Sequence, residues 1–227
     1  MQFPNDETLL CVLCRERPAT DEYTISGHTK MVCATCLERW NVRAAYEDEL
    51  LHLTALERRG QYDEALACLD AIMEANRDRD HDGWLARSIA DHRVLILLDA
   101  GRYAEAEEAC KAWALLGFAD VSQRWMHALG AAHALEALSR DREALVALED
   151  ALGHEDPKYL PSVLGVLTEL VRLSEKVGQP VDPKWRRIAE AVAERYGVDM
   201  PARSSFSGAI LALEEVTRGK QPKRPSE

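Results

Sequence analysis

The chain has 227 residues, of which 47% are apolar and only 6% aromatic, and it carries a formal net charge of −11. That length can bury one medium core or two small ones. So acidic a surface repels polyphosphate and excludes a general nucleic-acid binder. No run of about 18 apolar residues is present, so no transmembrane helix is expected. Residues 1–8 lack a basic region followed by an apolar stretch, so no signal peptide is read there and the chain is expected to stay in the cytoplasm. Abundant Ala, Leu, Glu and Arg predict helix over sheet.

The first element is set by cysteine spacing. Cys11-Val-Leu-Cys14 and Cys33-Ala-Thr-Cys36 are two Cys-x-x-Cys knuckles, while Cys68 and Cys110 stand alone in helical patterns. Two residues between thiols let one short turn present both sulfurs to one ion, and two such turns complete a tetrahedron of thiolates. The spacing predicts one structural Zn²⁺ per chain on Cys11, Cys14, Cys33 and Cys36. A redox dithiol would need a βαβ surrounding, and none is visible. Between the knuckles, Asp21 to Val32 reads as a short β-hairpin with Gly27 in its turn. His28 is a turn residue there, because four thiolates already close the site. Leu37 to Arg59 contains no Gly or Pro, so a helix is expected to begin at or just after Cys33. A knuckle, a hairpin and a second knuckle opening a helix describe a treble-clef-like module over residues 1–45.

Leu9-Leu10-Cys11-Val12-Leu13-Cys14, the eighteen-residue gap, and Met31-Val32-Cys33-Ala34-Thr35-Cys36-Leu37 resemble the N-terminal zinc-binding domain of the ClpX unfoldase. That resemblance covers about the first 45 residues. It implies a structural zinc site and a domain that self-associates and recognises substrates or adaptors. No Gly-x-x-x-x-Gly-Lys-Ser/Thr loop exists, so the ATPase of that family has no counterpart.

Residues 46–216 read as a helical repeat region. Gly60-Gln-Tyr62-Asp-Glu-Ala65-Leu66 is echoed by Gly101-Arg-Tyr103-Ala-Glu-Ala106-Glu107, and more weakly by Ser139-Arg-Asp141-Arg-Glu-Ala144-Leu145. In each copy a helix ends, a tight turn follows, and a second helix opens on a small residue. Cys68 and Cys110 are expected in the core of the second helices. Ser162–Lys176 and Pro183–Tyr196 read as a further pair, and Phe206–Val216 as a capping helix. The tail, residues 217–227, is basic and Pro-containing and reads as disordered. The Gly-x-Tyr-x-x-Ala junction resembles the tetratricopeptide repeat, although these copies lie 41 and 38 residues apart where the family has 34. The fold class expected is therefore mainly α: a zinc module followed by a tetratricopeptide-like α-solenoid of helical hairpins. Matching positions place Glu47, Asp91, His133 and Glu136 in its concave groove, with Met126 and Leu129 supplying apolar contact. That pattern implies a basic or amphipathic protein or peptide ligand.

No catalytic constellation emerges. The seven histidines form no His-Glu-x-x-His pair, and His127 and His133 fall on different helical faces. A nucleophile elbow, phosphate loop and dinucleotide fingerprint are all absent. The function expected is a non-catalytic protein-binding adaptor, with the zinc module serving one partner or self-association and the helical groove another. The alternative is a zinc-finger regulator contacting nucleic acid through Arg15, Arg17, Lys30, Arg39 and Arg43. These are interleaved with Glu16, Asp21, Glu22 and Glu38, so no clean basic face forms.

Overall fold

The helix-forming composition is expressed directly. The computed structural model describes residues 10–25, 28–153, 160–183 and 185. Among them are seven α-helices, one 3-10 turn and a two-stranded sheet, so the protein is mainly helical. The chain divides into two compact units, Met1–Ala86 and Arg87–Glu227.

In the first unit, β1 (Asp21–Ile25) and β2 (His28–Val32) pair antiparallel, with Asp21 opposite Val32 and Ile25 opposite His28. This is the expected hairpin; its residues 26–27 lie outside the described set. Helix α1 (Ala34–Arg58) begins immediately after Cys33 and runs for 25 residues. It buries Val42, Tyr46, Leu53 and Leu56, which recur at helical spacing along one stripe. Helix α2 (Tyr62–Asn76) lays Ala65, Leu66, Leu69 and Ile72 against it. Burying each of the three larger side chains contributes on the order of 1.5–3 kcal/mol. Cys68 falls beside that stripe and is only half-buried, so the expectation of a core position fails for it and holds for Cys110.

After the 3-10 turn Arg77–Arg79, a polar loop returns to α1. Glu38 meets Arg79 at 3.7 Å and His81 at 3.1 Å, and Asp82 meets Arg39 at 3.3 Å and Arg43 at 3.8 Å. Asp80 accepts the backbone N–H of Leu85 (3.0 Å) and Ala86 (2.9 Å), satisfying two orphan donors at the start of α3 (Trp84–Asp99).

The second unit holds the rest of α3, then α4 (Tyr103–Leu116), α5 (Val121–Ala137), α6 (Asp141–Gly153) and α7 (Leu160–Val177). Helix α5 contacts α4, α6 and α7 and buries Trp125, Ala128, Leu129, Gly130, Ala132, Ala134 and Leu135, positions spread over several of its faces. Asp120 caps it by accepting the N–H of Gln123 at 3.0 Å, while Gln123 reaches back to the N–H of Ala119 at 2.9 Å. Gly130 is required inside α5. A Cβ there would stand 2.8 Å from Val94 Cγ1, so α3 can approach only because hydrogen occupies that site.

The repeated sequence motif is a repeated backbone device. Gly60, Gly101 and Ser139 all adopt left-handed φ, of 71°, 72° and 62°. In each case their own N–H bonds to the carbonyl three residues back, on Glu57, Leu98 and Glu136. The next N–H reaches five back, to Leu56, Leu97 and Leu135. That same residue (Gln61, Arg102 or Arg140) gives its carbonyl to the first turn of the next helix, through Ala65, Ala106 and Ala144. All three alanines are fully buried, so no side chain separates the paired helices. Gly178 closes α7 in the same way. The helix expected at 183–196, the cap at 206–216 and the tail at 217–227 lie wholly or almost wholly outside the described residues.

Ser139 holds a conformation that costs a non-glycine residue about 1 kcal/mol. Ser139→Gly is expected to raise unfolding free energy by about 0.5–1 kcal/mol, and Gly101→Ala to lower it by about 1 kcal/mol, both measured by urea titration.

Candidate metal centre

The first knuckle is shaped by its own backbone. Arg15 N–H bonds to Cys11 O (2.8 Å) and Cys11 N–H to Arg17 O (2.9 Å), a turn that forces Arg15 to φ 58°. Val12 N–H bonds to Met31 O at 3.1 Å and thereby fixes the knuckle to β2. The second knuckle is the start of α1: Cys33 occupies the N-cap and Cys36 the first turn.

These two turns bring Cys11, Cys14, Cys33 and Cys36 together, with their sulfurs all within 4.8 Å of one another and Cys14 Sγ 4.0 Å from Cys33 Sγ. A disulfide needs about 2 Å, and all four are free thiols. A tetrahedral ion with bonds of about 2.3 Å spaces its sulfurs about 3.8 Å apart, so the four fit the size of a metal ion and can hold one. Among the described residues, no other group of three or more Cys, His, Asp or Glu side chains is arranged this way.

The electrostatics are asymmetric. Burial would push the Cys11 thiol up, but the backbone N–H groups of Cys14, Cys33 and Leu13 point at its sulfur and lower it to about 6. The N–H groups of Glu16 and Arg17 likewise hold Cys14 below its ordinary value. Cys36 is pushed up to about 12, by burial and then by the three neighbouring sulfurs. The first knuckle thus favours negative charge, whereas burial and the neighbouring sulfurs disfavour it at Cys36.

The residues expected in a groove are placed as follows. Glu47 is exposed on α1 in the first unit, and the other five belong to the second. Leu129 is buried at 7% exposure within α5, and Met126 is half-buried. His133 stacks on Tyr103 with ring centroids 6.4 Å apart. Glu136 is bound in two-pronged fashion by Arg172 (2.8 and 2.5 Å) and again by Lys176 (3.1 Å). Asp91 is half-buried on α3, and desolvation raises its carboxyl to about 7.

A groove that sequence reasoning missed lies over α5 between α4 and α6. Its volume is about 630 Å³. Ala114, Ala131, Leu135, Val146 and Ala147 give it an apolar lining, and Lys111, Glu107, Arg140 and Glu143 form a charged rim. Four of the six charged lining residues form ion pairs, Arg140 with Glu107 (2.7 Å) and Glu143 (2.6 Å), and Lys111 with Glu107 (3.0 Å); Arg142 and Asp150 complete the charged lining. The available signal was the small alanines at 114, 131 and 147, which leave unfilled space between helices.

The raised pKa of Asp91 has a definite sign. The folded state keeps its proton up to about pH 7, whereas the unfolded chain releases it near pH 4, so stability falls as pH rises through that interval. Asp91→Asn is expected to flatten this dependence between pH 4 and 7. At pH 8 it is expected to stabilise the protein by roughly 2–4 kcal/mol, as read from denaturation midpoints. Comparison of the chain with protein-family models, curated proteins and solved structures gives no match.

Proposed function

We propose that the chain is a non-catalytic, cytoplasmic protein-binding adaptor. Cys11, Cys14, Cys33 and Cys36 hold one structural zinc ion in a treble-clef-like module similar to that of ClpX. The helical region is a tetratricopeptide-like α-solenoid that receives a protein or peptide. The observation that carries this reading is the cluster of four sulfurs within 4.8 Å. Four thiolates in tetrahedral array suit zinc and leave no coordination position for water or substrate, which favours structure over chemistry. The recurring left-handed junctions and fully buried alanines support the repeat reading. The apolar floor of the groove over α5 supports a peptide partner, and the ion pairs of Arg140 with Glu107 and Glu143 leave that floor as its main recognition surface. Nucleic acid is disfavoured: Arg39 and Arg43, two of the five cations of the module, are engaged by Asp82.

Elemental analysis of the purified chain is expected to return one zinc per molecule, and Cys14→Ser or Cys36→Ser to lower it; an unchanged stoichiometry removes the ligand assignment. For the adaptor role, affinity purification with mass spectrometry compares the wild type with Val146→Glu, a change at a 61% exposed groove position that leaves the fold intact. Companions retained by the wild type and lost from the variant are expected. The same companions on both would remove the groove from the proposal.

A further inference from the structure

Beside the four sulfurs is a second pocket, of about 200 Å³, lined by Leu13, Cys14, Cys36, Arg39, Trp40 and Arg43. Two of the clustered thiols therefore share one small space with two guanidinium groups. Both cations project from α1 four residues apart, on one helical face and within two turns of Cys36. They are held in place. Asp82 Oδ2 stands 3.3 Å from Arg39 Nε and 3.8 Å from Arg43 Nη2, and the Arg43 guanidinium lies 4.9 Å over the Trp84 ring. The Nε groups of both arginines are buried without a hydrogen-bond acceptor; the contact of Asp82 with Arg39 has the distance of an ion pair without the alignment of a hydrogen bond. Asp82 brings one negative charge to these two cations, so the trio keeps a net positive charge beside the two thiols.

The metal centre supplies a counter-charge. Four thiolates around a divalent ion carry a double negative charge, and leaving it uncompensated in a partly buried site is costly. We propose that Arg39 and Arg43 form a cationic wall to the metal centre, offsetting the charge of the metal–thiolate group and making its open side favour anionic reagents over neutral ones. This rests on the reading that the four thiols hold an ion. Leu13 and Trp40 add apolar surface to the same pocket.

The test uses the full-length, zinc-loaded chain. Zinc affinity is measured by competition with a chelator, and thiol modification rates are compared for iodoacetate, an anion, and iodoacetamide, its neutral analogue. The double variant Arg39→Gln, Arg43→Gln is expected to lose roughly 10–100-fold in zinc affinity. Its iodoacetate-to-iodoacetamide rate ratio is expected to fall several-fold, and lysine at both positions to restore the ratio. Asp82→Asn keeps both cations and is expected to preserve the ratio. A glutamine variant with an unchanged ratio overturns the inference even if its affinity drops, since lost packing alone would do that. Asp82→Asn lowering the ratio as far as the glutamine pair overturns it as well. If the double variant loses its helical circular dichroism, the single substitutions carry the same comparison. A wild type that binds no zinc overturns the centre itself, whereas a zinc-loaded wild type with an indifferent variant overturns this inference alone.

Discussion

Four sulfur atoms gathered inside a few ångströms do not make a stable core by themselves. The buried cluster at the front of the chain is Cys11, Val32, Cys33 and Cys36, with Cys14, Tyr23 and Leu37 packed against it. Val32 is the one fully buried aliphatic side chain in that set, too little apolar area to fix a knuckle, a hairpin and a helix start. Once ionised, the sulfurs repel one another, and the Cys36 thiol is raised by burial and then by that repulsion. A cation held at the centre would turn the repulsion into attraction and join two turns nineteen residues apart in the chain. Its binding energy would then take the place of a larger core. The left-handed Arg15 belongs to the same logic: a conformation costing about 1–2 kcal/mol persists where the surrounding bonds over-determine it.

The helical part solves a different problem with local chemistry. Each junction uses one left-handed residue to end a helix and satisfy two of its carbonyls, and the following residue already accepts the first bond of the next helix. No residue is spent on an independent loop. The tightness of the turn forces its two helices together, which is why the alanines at 65, 106 and 144 are fully buried. Where helices further apart in sequence meet, charge sets the register. Arg172 and Lys176 of α7 converge on Glu136 of α5, and Lys176 also reaches Asp141 of α6 at 2.8 Å. Glu136 is largely buried, so removing its partners would strand a charge and cost more than the pairs contribute.

This division between local and distant chemistry explains what could be read from the residues. The knuckles, the hairpin, the start of α1 and the three junctions were legible because each is a short local pattern whose conformation follows from spacing and from turn-forming residues. The clustering of the two knuckles was legible because four thiols in that spacing share one chemical purpose. Leu129, Glu136 and Asp91 carry polarity and spacing that fit an exposed groove. Yet the first is covered within α5, the second is bound from α7 thirty-six residues later, and the third is half-buried with a desolvated carboxyl. Periodicity tells which face of a helix is apolar but not which other helix will cover it. The loop aspartates were missed for the same reason. Asp80 and Asp82 look like solvated charges, and only the fold reveals that one caps α3 while the other holds Arg39 and Arg43.

The groove over α5 follows from this arrangement. Helices α4 and α6 each pack on α5, and the residues between them are alanines too short to close the gap. In the proposed reading this gap receives a partner, and its rim bears on how. Arg140 and Lys111 are neutralised by Glu107 and Glu143, so a ligand entering the groove would not strip solvent from unpaired charges. The unfavourable part of association is thereby kept small, and Val146, with most of its side chain in water, gains from being covered. In the proposed reading, a surface that is apolar in its floor, largely ion-paired at its edge and helical on both sides would suit the apolar face of another helix.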